Sequence, residues 1–137
     1  MIKKAFAFMI FSSAFIFAQI VGPKISVLHP EYSFGDINQG EKVSHNFTIT
    51  NNGGDLLKIT DVRASCGCTA AAPEKNELKP GESTQIKVEF NSQGRKGNQV
   101  KYVYVKTNDK ENPEIKLKIS GNVVQQKKED DQSSLQK

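Results

Sequence analysis

Residues 43–51 constrain this chain more than any other stretch. Val43, His45, Phe47 and Ile49 alternate with Ser44, Asn46, Thr48 and Thr50, the period of a strand with one face buried and one in water. The pattern recurs. Leu57 and Ile59 open a second run, and Thr84, Ile86, Val88 and Phe90 form a third with Gln85, Lys87 and Glu89 between them. Ile115, Leu117 and Ile119 alternate with Glu114, Lys116 and Lys118 in a last one. Residues 100–105 (Val-Lys-Tyr-Val-Tyr-Val) are apolar or aromatic on both faces, as in a central strand. No helical period of useful length occurs.

Turn chemistry separates these runs. Asn38-Gln39-Gly40-Glu41 and Asn51-Asn52-Gly53-Gly54-Asp55 are rich in residues that tolerate positive φ. Pro80-Gly81-Glu82 signals a type II turn. Loops follow at residues 91–98 and 107–113. Val62 falls out of phase with Leu57 and Ile59, which predicts a bulge near Asp61. Two shorter extended pieces precede them: residues 24–29, stopped by Pro30, and residues 32–37, which put Tyr32 and Phe34 on one face. Residues 69–72 are a small-residue segment, and residues 73–79 are polar without a period. About seven short strands, regular turn signals and no helices predict an all-β, immunoglobulin-like antiparallel β-sandwich. Its expected core is Phe34, Val43, Phe47, Ile49, Leu57, Ile59, Ile86, Val88, Phe90, Val103, Val105, Ile115, Leu117 and Ile119.

The sandwich is expected to span 24–122. Before it, Met1-Ile2-Lys3-Lys4 is cationic, residues 5–17 are apolar apart from Ser12 and Ser13, and the small Ala18 precedes Gln19. That is the pattern of a signal peptide over 1–18, too short to span a bilayer, which takes about 20 apolar residues. Phe6, Phe8, Phe11, Phe15 and Phe17 fall within it. The mature core then rests on Val, Ile and Leu. Residues 123–137 are expected to be a disordered polar tail, with Leu135 the one apolar residue after Val124. Removing Lys3 and Lys4 lowers the formal charge from +4 to +2. Interspersed charges and so mild an excess argue against a nucleic-acid footprint. Arg95 and Lys96, on a glycine loop, are expected to be solvated charge.

Several motifs in register carry a family resemblance. Phe34-Gly35-Asp36-Ile37, Gly40, Phe47-Thr48-Ile49-Thr50-Asn51, Leu57-Lys58-Ile59, Ser65-Cys66-Gly67-Cys68-Thr69, Pro80-Gly81-Glu82 and Val88-Glu89-Phe90-Asn91 resemble a bacterial group of secreted proteins, domain-of-unknown-function family 1573. The likeness covers residues 32–122. It implies a sandwich akin to Hydin-type and major-sperm-protein modules, in exported proteins typical of Bacteroidetes, and it implies no established activity.

The chemistry-bearing feature is the only cysteine pair, Cys66 and Cys68, with Gly67 as the bend. Three roles fit it. In an extended strand, residues two apart have Cα atoms about 6.5–7 Å apart, the upper limit for a disulfide. A bend at Gly67, using φ values closed to other residues, would bring the sulfurs together as a redox-active or reversibly oxidised pair. Two thiolates also suit Cu(I), or Zn²⁺ if His29 and His45 completed the set. His45, in an inward strand phase, reads otherwise as a hydrogen-bonded core histidine. The third role is a tight structural bend with buried thiols. Tyr102 and Tyr104 read as cross-strand packing rather than a binding strip.

No Ser-His-Asp order, phosphate loop, paired-carboxylate motif or HExxH is present. The expectation is a non-enzymatic exported module, periplasmic or extracellular, acting by contact with another envelope protein through its strand edges. It needs no cofactor, no nucleic acid and no membrane span after signal cleavage. The alternative is an envelope redox or soft-metal protein using Cys66 and Cys68.

Overall fold

The structure, a computed structural model, describes residues 22–125. The expected signal peptide and residues 126–137 of the expected tail lie outside it. The described chain forms nine strands: β1 (Ile25–Val27), β2 (Glu31–Asn38), β3 (Lys42–Asn51), β4 (Leu57–Ala64), β5 (Thr69–Pro73), β6 (Glu77–Leu78), β7 (Ser83–Asn91), β8 (Gly97–Thr107) and β9 (Glu114–Val124). They make a four-stranded sheet, β1-β3-β7-β5, and a five-stranded sheet, β2-β9-β8-β4-β6. The all-β sandwich class stands. No helix among the described residues is long and apolar enough to cross a membrane.

The alternating runs pair with one another as their period requires. Val43, His45, Phe47 and Ile49 of β3 sit opposite Phe90, Val88, Ile86 and Thr84 of β7. Facing them across the interior are Val103 and Val105 of β8 and Leu117 and Ile119 of β9. At roughly 25 cal/mol per Å² of apolar surface, this contact between layers supplies the drive to fold. The phase change at Val62 is real: the β4–β8 register slips between Ile59 and Asp61. Gly81 has φ +81°, as a type II turn demands.

Four expectations need correction. The strand count rises to nine because the alanine-rich residues 69–72 and the polar residues 73–79 each contribute a short strand, β5 and β6. One pair, β2 with β9, is parallel, since period two specifies a face and not the direction of the neighbour. Strand β9 continues to Val124, past residue 122, because the Val123 side chain is 2% exposed. Phe34, Val43 and Ile115 are half-buried rather than core. Ile25, Ile37 and Leu78 join the buried set instead.

Buried polar groups fasten the turns. Asn51 is fully buried, and its Nδ2 donates to the carbonyls of Asp55 (2.7 Å) and Leu78 (2.9 Å). Its Oδ1 accepts from the amides of Gly53 (2.9 Å) and Lys24 (3.3 Å). One side chain thus pins the end of β3 to its own turn, to β6 and to the chain entering β1.

Candidate functional site

Cys66 and Cys68 occupy the connection in which the chain leaves β4, in one sheet, and enters β5, in the other. On the departing side, the Ser65 amide donates to the Tyr102 carbonyl (2.8 Å) and Ser65 Oγ accepts from the Tyr102 amide (3.1 Å). On the arriving side, the Cys68 carbonyl accepts from the Asn91 amide (2.9 Å), the next rung of the β5–β7 ladder. Between them the Thr69 amide donates to the Cys66 carbonyl (3.2 Å). Both ends of the loop are therefore anchored.

The two sulfurs are joined in a disulfide, with Cα atoms 5.3 Å apart. That spacing is shorter than two residues of extended strand allow, so the backbone folds at Gly67. The bend differs from expectation in one respect. Gly67 is not among the residues with positive φ, and a Cβ built there meets nothing within 4 Å. Neither backbone conformation nor crowding therefore requires glycine at this bend.

One neighbour was not singled out by its sequence. Thr69 Oγ1 lies 3.7 Å from Cys66 Sγ and 3.8 Å from Cys68 Sγ, and Thr69 is only 6% exposed. Its hydroxyl faces both sulfurs and can donate to whichever carries charge. The sole signal in the chain was adjacency, since a hydroxyl one residue after the pair implies nothing until the loop closes. Both cysteines are half-buried, so the sulfur pair is neither sealed in the core nor fully in water.

Neither histidine joins the cysteines in a cluster of metal-ligating groups: His29 is exposed in the link between β1 and β2. His45 lies on β3, with all of β7 between it and β5. Its ring stacks on Tyr32 (centroids 3.8 Å apart, planes 8° apart) and meets Phe47 edge-on at 4.7 Å. Aromatic packing thus takes the place expected of hydrogen bonding, and burial lowers the His45 pKa below its ordinary 6.5. Among the described residues no cluster of three or more His, Cys, Asp or Glu is placed to hold a metal. Arg63 lies over Tyr104 at 5.1 Å, its cross-strand partner, and Lys116 over Tyr102 at 4.9 Å. The tyrosine strip is occupied by its own cations.

Comparison with known proteins agrees with this architecture. A family model described as "Protein of unknown function (DUF1573)" matches residues 25–123. Among curated proteins, none matches the sequence. A crystal structure of a protein of unknown function from Porphyromonas gingivalis W83 superposes with a TM-score of 0.68 at 20% identity, over 78% of this chain and 50% of that one. The chain therefore spans half the length of that protein. The ASH/PapD-like domain 7 of human CEP192 superposes at 0.62 and 12% identity, over 76% of this chain and 87% of that one. The YadV chaperone does so at 0.52 and 14% identity, over 72% and 51%. At these identities the likeness is one of fold.

Proposed function

We propose that this chain, which belongs to the DUF1573 family, is an exported, non-enzymatic module that works by protein–protein contact in the bacterial cell envelope. The observation that carries this is the state of its strand edges. Neither sheet closes into a barrel, and β3 is flanked by β1 along only part of its length. Unpaired main-chain groups on such an edge accept another chain. Export is supported by the leader-like residues 1–18 and by the Cys66–Cys68 bond, since disulfides persist in oxidising compartments. The periplasm or the medium satisfies that condition.

The test is chemical cross-linking in the producing cell, followed by purification of the processed protein and mass spectrometry. A discrete partner at fixed stoichiometry is expected. Recovery of the protein alone, under cross-linking that captures known envelope complexes, overturns the proposal.

A second role is favoured by the sulfur geometry. The joined pair can accept two electrons from a dithiol: one thiolate attacks Cys66 or Cys68, a mixed disulfide forms, and the second thiol of the reductant displaces it. The products are two cysteine thiols and the oxidised reductant. Thr69 Oγ1 is placed to donate to the departing thiolate. Replacing both cysteines by serine separates the two: partner capture survives under the first role, and dithiol exchange vanishes under the second.

A further inference from the structure

Strand β3 pairs with β7 from Lys42 to Thr50, but with β1 only from Ile49 to Asn51. The ladder shows which main-chain groups this leaves over. The Asn51 amide donates to the Glu82 carbonyl (2.9 Å) on the β7 side, and the Asn52 amide donates to the Lys24 carbonyl (2.8 Å) on the β1 side. Bonding direction alternates along an antiparallel strand, so Val43, His45, Phe47 and Ile49 bond toward β7. Ser44, Asn46, Thr48 and Thr50 point the other way. Thr50 meets Ser26 of β1. Among the described residues, no strand lies beside the N–H and C=O of Ser44 and Asn46.

Each of the four outermost strands carries a device that discourages pairing. The stretches of β4 and β9 left uncovered by β6 and β2 carry Asp61 and Arg63, with a register shift at Asp61, and Glu114 and Lys116. Strand β5 ends in Pro73, which has no N–H to offer, and β1 and β6 are three and two residues long. Strand β2 is broken by a register shift between Ser33 and Gly35, and it carries Glu31 and Asp36. Residues 44–48 have no proline, no formal charge and no bulge.

The flank beside this bare edge is uncovered, and its lining mixes apolar and aromatic side chains with the neutral polar Ser26, Asn46, Thr48 and Thr50. A groove of about 610 Å³ runs along it, bounded by Leu28, His29, Tyr32, His45 and Phe47. Leu28 is 83% exposed. On the two strands that flank the groove, Tyr32, Phe34, Val43 and His45 turn inward yet stay half-buried. The one carboxylate lining it, Glu31, is already held by Lys118 Nζ at 3.0 Å. An occupant meets main-chain bonding groups, apolar and neutral polar side chains and no unneutralised carboxylate.

Resting on the interaction-module proposal, we infer that residues 44–48 of β3 receive an extended, uncharged segment of a partner protein as an added strand in line with β1. Its alternate apolar side chains fill the groove against Leu28 and Tyr32. Main-chain bonds to Ser44 and Asn46 give the grip, and the groove gives the selection.

The experiment is amide hydrogen exchange by NMR on the exported protein, with the probe peptide Thr-Val-Thr-Val-Thr and the same peptide N-methylated at alternate amides. Exchange at Ser44 and Asn46 is expected to slow by about tenfold or more with the first peptide, and not with the second. Ser44→Pro is expected to abolish that protection without changing the melt, because this N–H takes no part in the β3–β7 ladder. The wild-type comparison of the two peptides stands even if that variant misfolds. Protection that falls on Ala71 instead, or nowhere, overturns the inference. Ser44 and Asn46 amides already slow without peptide overturn it too. If that slowing grows with protein concentration, the occupant is a second copy; if removing residues 126–137 relieves it, the occupant is that segment. A cellular partner that still cross-links to Ser44→Pro removes this inference and leaves the interaction module standing.

Discussion

The carboxylate of Asp109 accepts a hydrogen bond from the amide of Ile25 at 3.0 Å, joining groups 84 positions apart in the chain. The same side chain accepts from the amides of Glu111 (2.9 Å) and Asn112 (3.2 Å), and Asp109 is 2% exposed. The first strand is thereby tied to the loop that precedes the last one. Burial pushes the Asp109 pKa up, but the three amides and the Asn112 side chain outweigh it and hold the group below its ordinary 3.8.

A carboxylate with a depressed folded pKa stabilises above its unfolded value, and that contribution fades as pH falls through the folded one. Asp109→Ala leaves buried amides without an acceptor and is expected to cost about 2–3 kcal/mol at pH 7. Urea midpoints measured near pH 7 and near pH 2.5 check this. The gap between wild type and variant should narrow at the lower pH. An unchanged gap would mean that the charged form contributes nothing.

Gly121 tests the parallel β2–β9 pairing. It sits opposite Gly35, and a Cβ on it would come within 2.2 Å of the Phe34 ring and 2.6 Å of the Gly35 carbonyl oxygen. The ring can swing away, but the carbonyl belongs to the backbone and cannot. Gly121→Ala is expected to lose about 1–3 kcal/mol, read as a lowered melting temperature. Gly67→Ala, with open space around it, is expected to stay within about 0.5 kcal/mol. Equal melting of the two variants would contradict this packing.

Leu78 shows where the sequence stopped being readable. In β3, β7 and β9 the alternation is long enough to declare its buried face, and Phe47, Ile86 and Leu117 are core as their phase requires. Strand β6 has two residues and no period to read. Yet Leu78 is fully buried opposite Leu57, and Leu78→Ala is expected to cost about 2–5 kcal/mol in a denaturant titration. A loss below about 1 kcal/mol would mean that β6 is peripheral. The half-burial of Phe34 and Val43 was hidden for another reason. Phase says which way a side chain turns, and only the order of strands in the sheet says whether a neighbour covers it. Spacing singled out the Cys66–Cys68 pair but left a bridge, a metal pair and a plain bend all open, whereas Thr69 became visible only once the loop brought its hydroxyl to both sulfurs.

The sulfur loop allows stability and chemistry to be measured apart. A bridge between residues two apart closes so small a loop that it removes little entropy from the unfolded chain, roughly 1–2 kcal/mol on the chain-entropy account. Replacing both cysteines by serine is therefore expected to leave a cooperative melt, because the sandwich rests on its apolar layers. Thr69→Val keeps the shape of a residue that is 6% exposed and removes only the hydroxyl near the two sulfurs. Hydrogen bonds to charged groups contribute about 1.5–3 kcal/mol. If Thr69 donates to the thiolate leaving during exchange, the variant should be reduced by dithiothreitol about tenfold or more slowly than wild type, with little change in melting. Timed thiol trapping followed by intact-mass measurement gives that rate directly. Equal rates would show that the Thr69 hydroxyl does nothing for the sulfurs, and would leave any exchange at Cys66 and Cys68 to the pair alone.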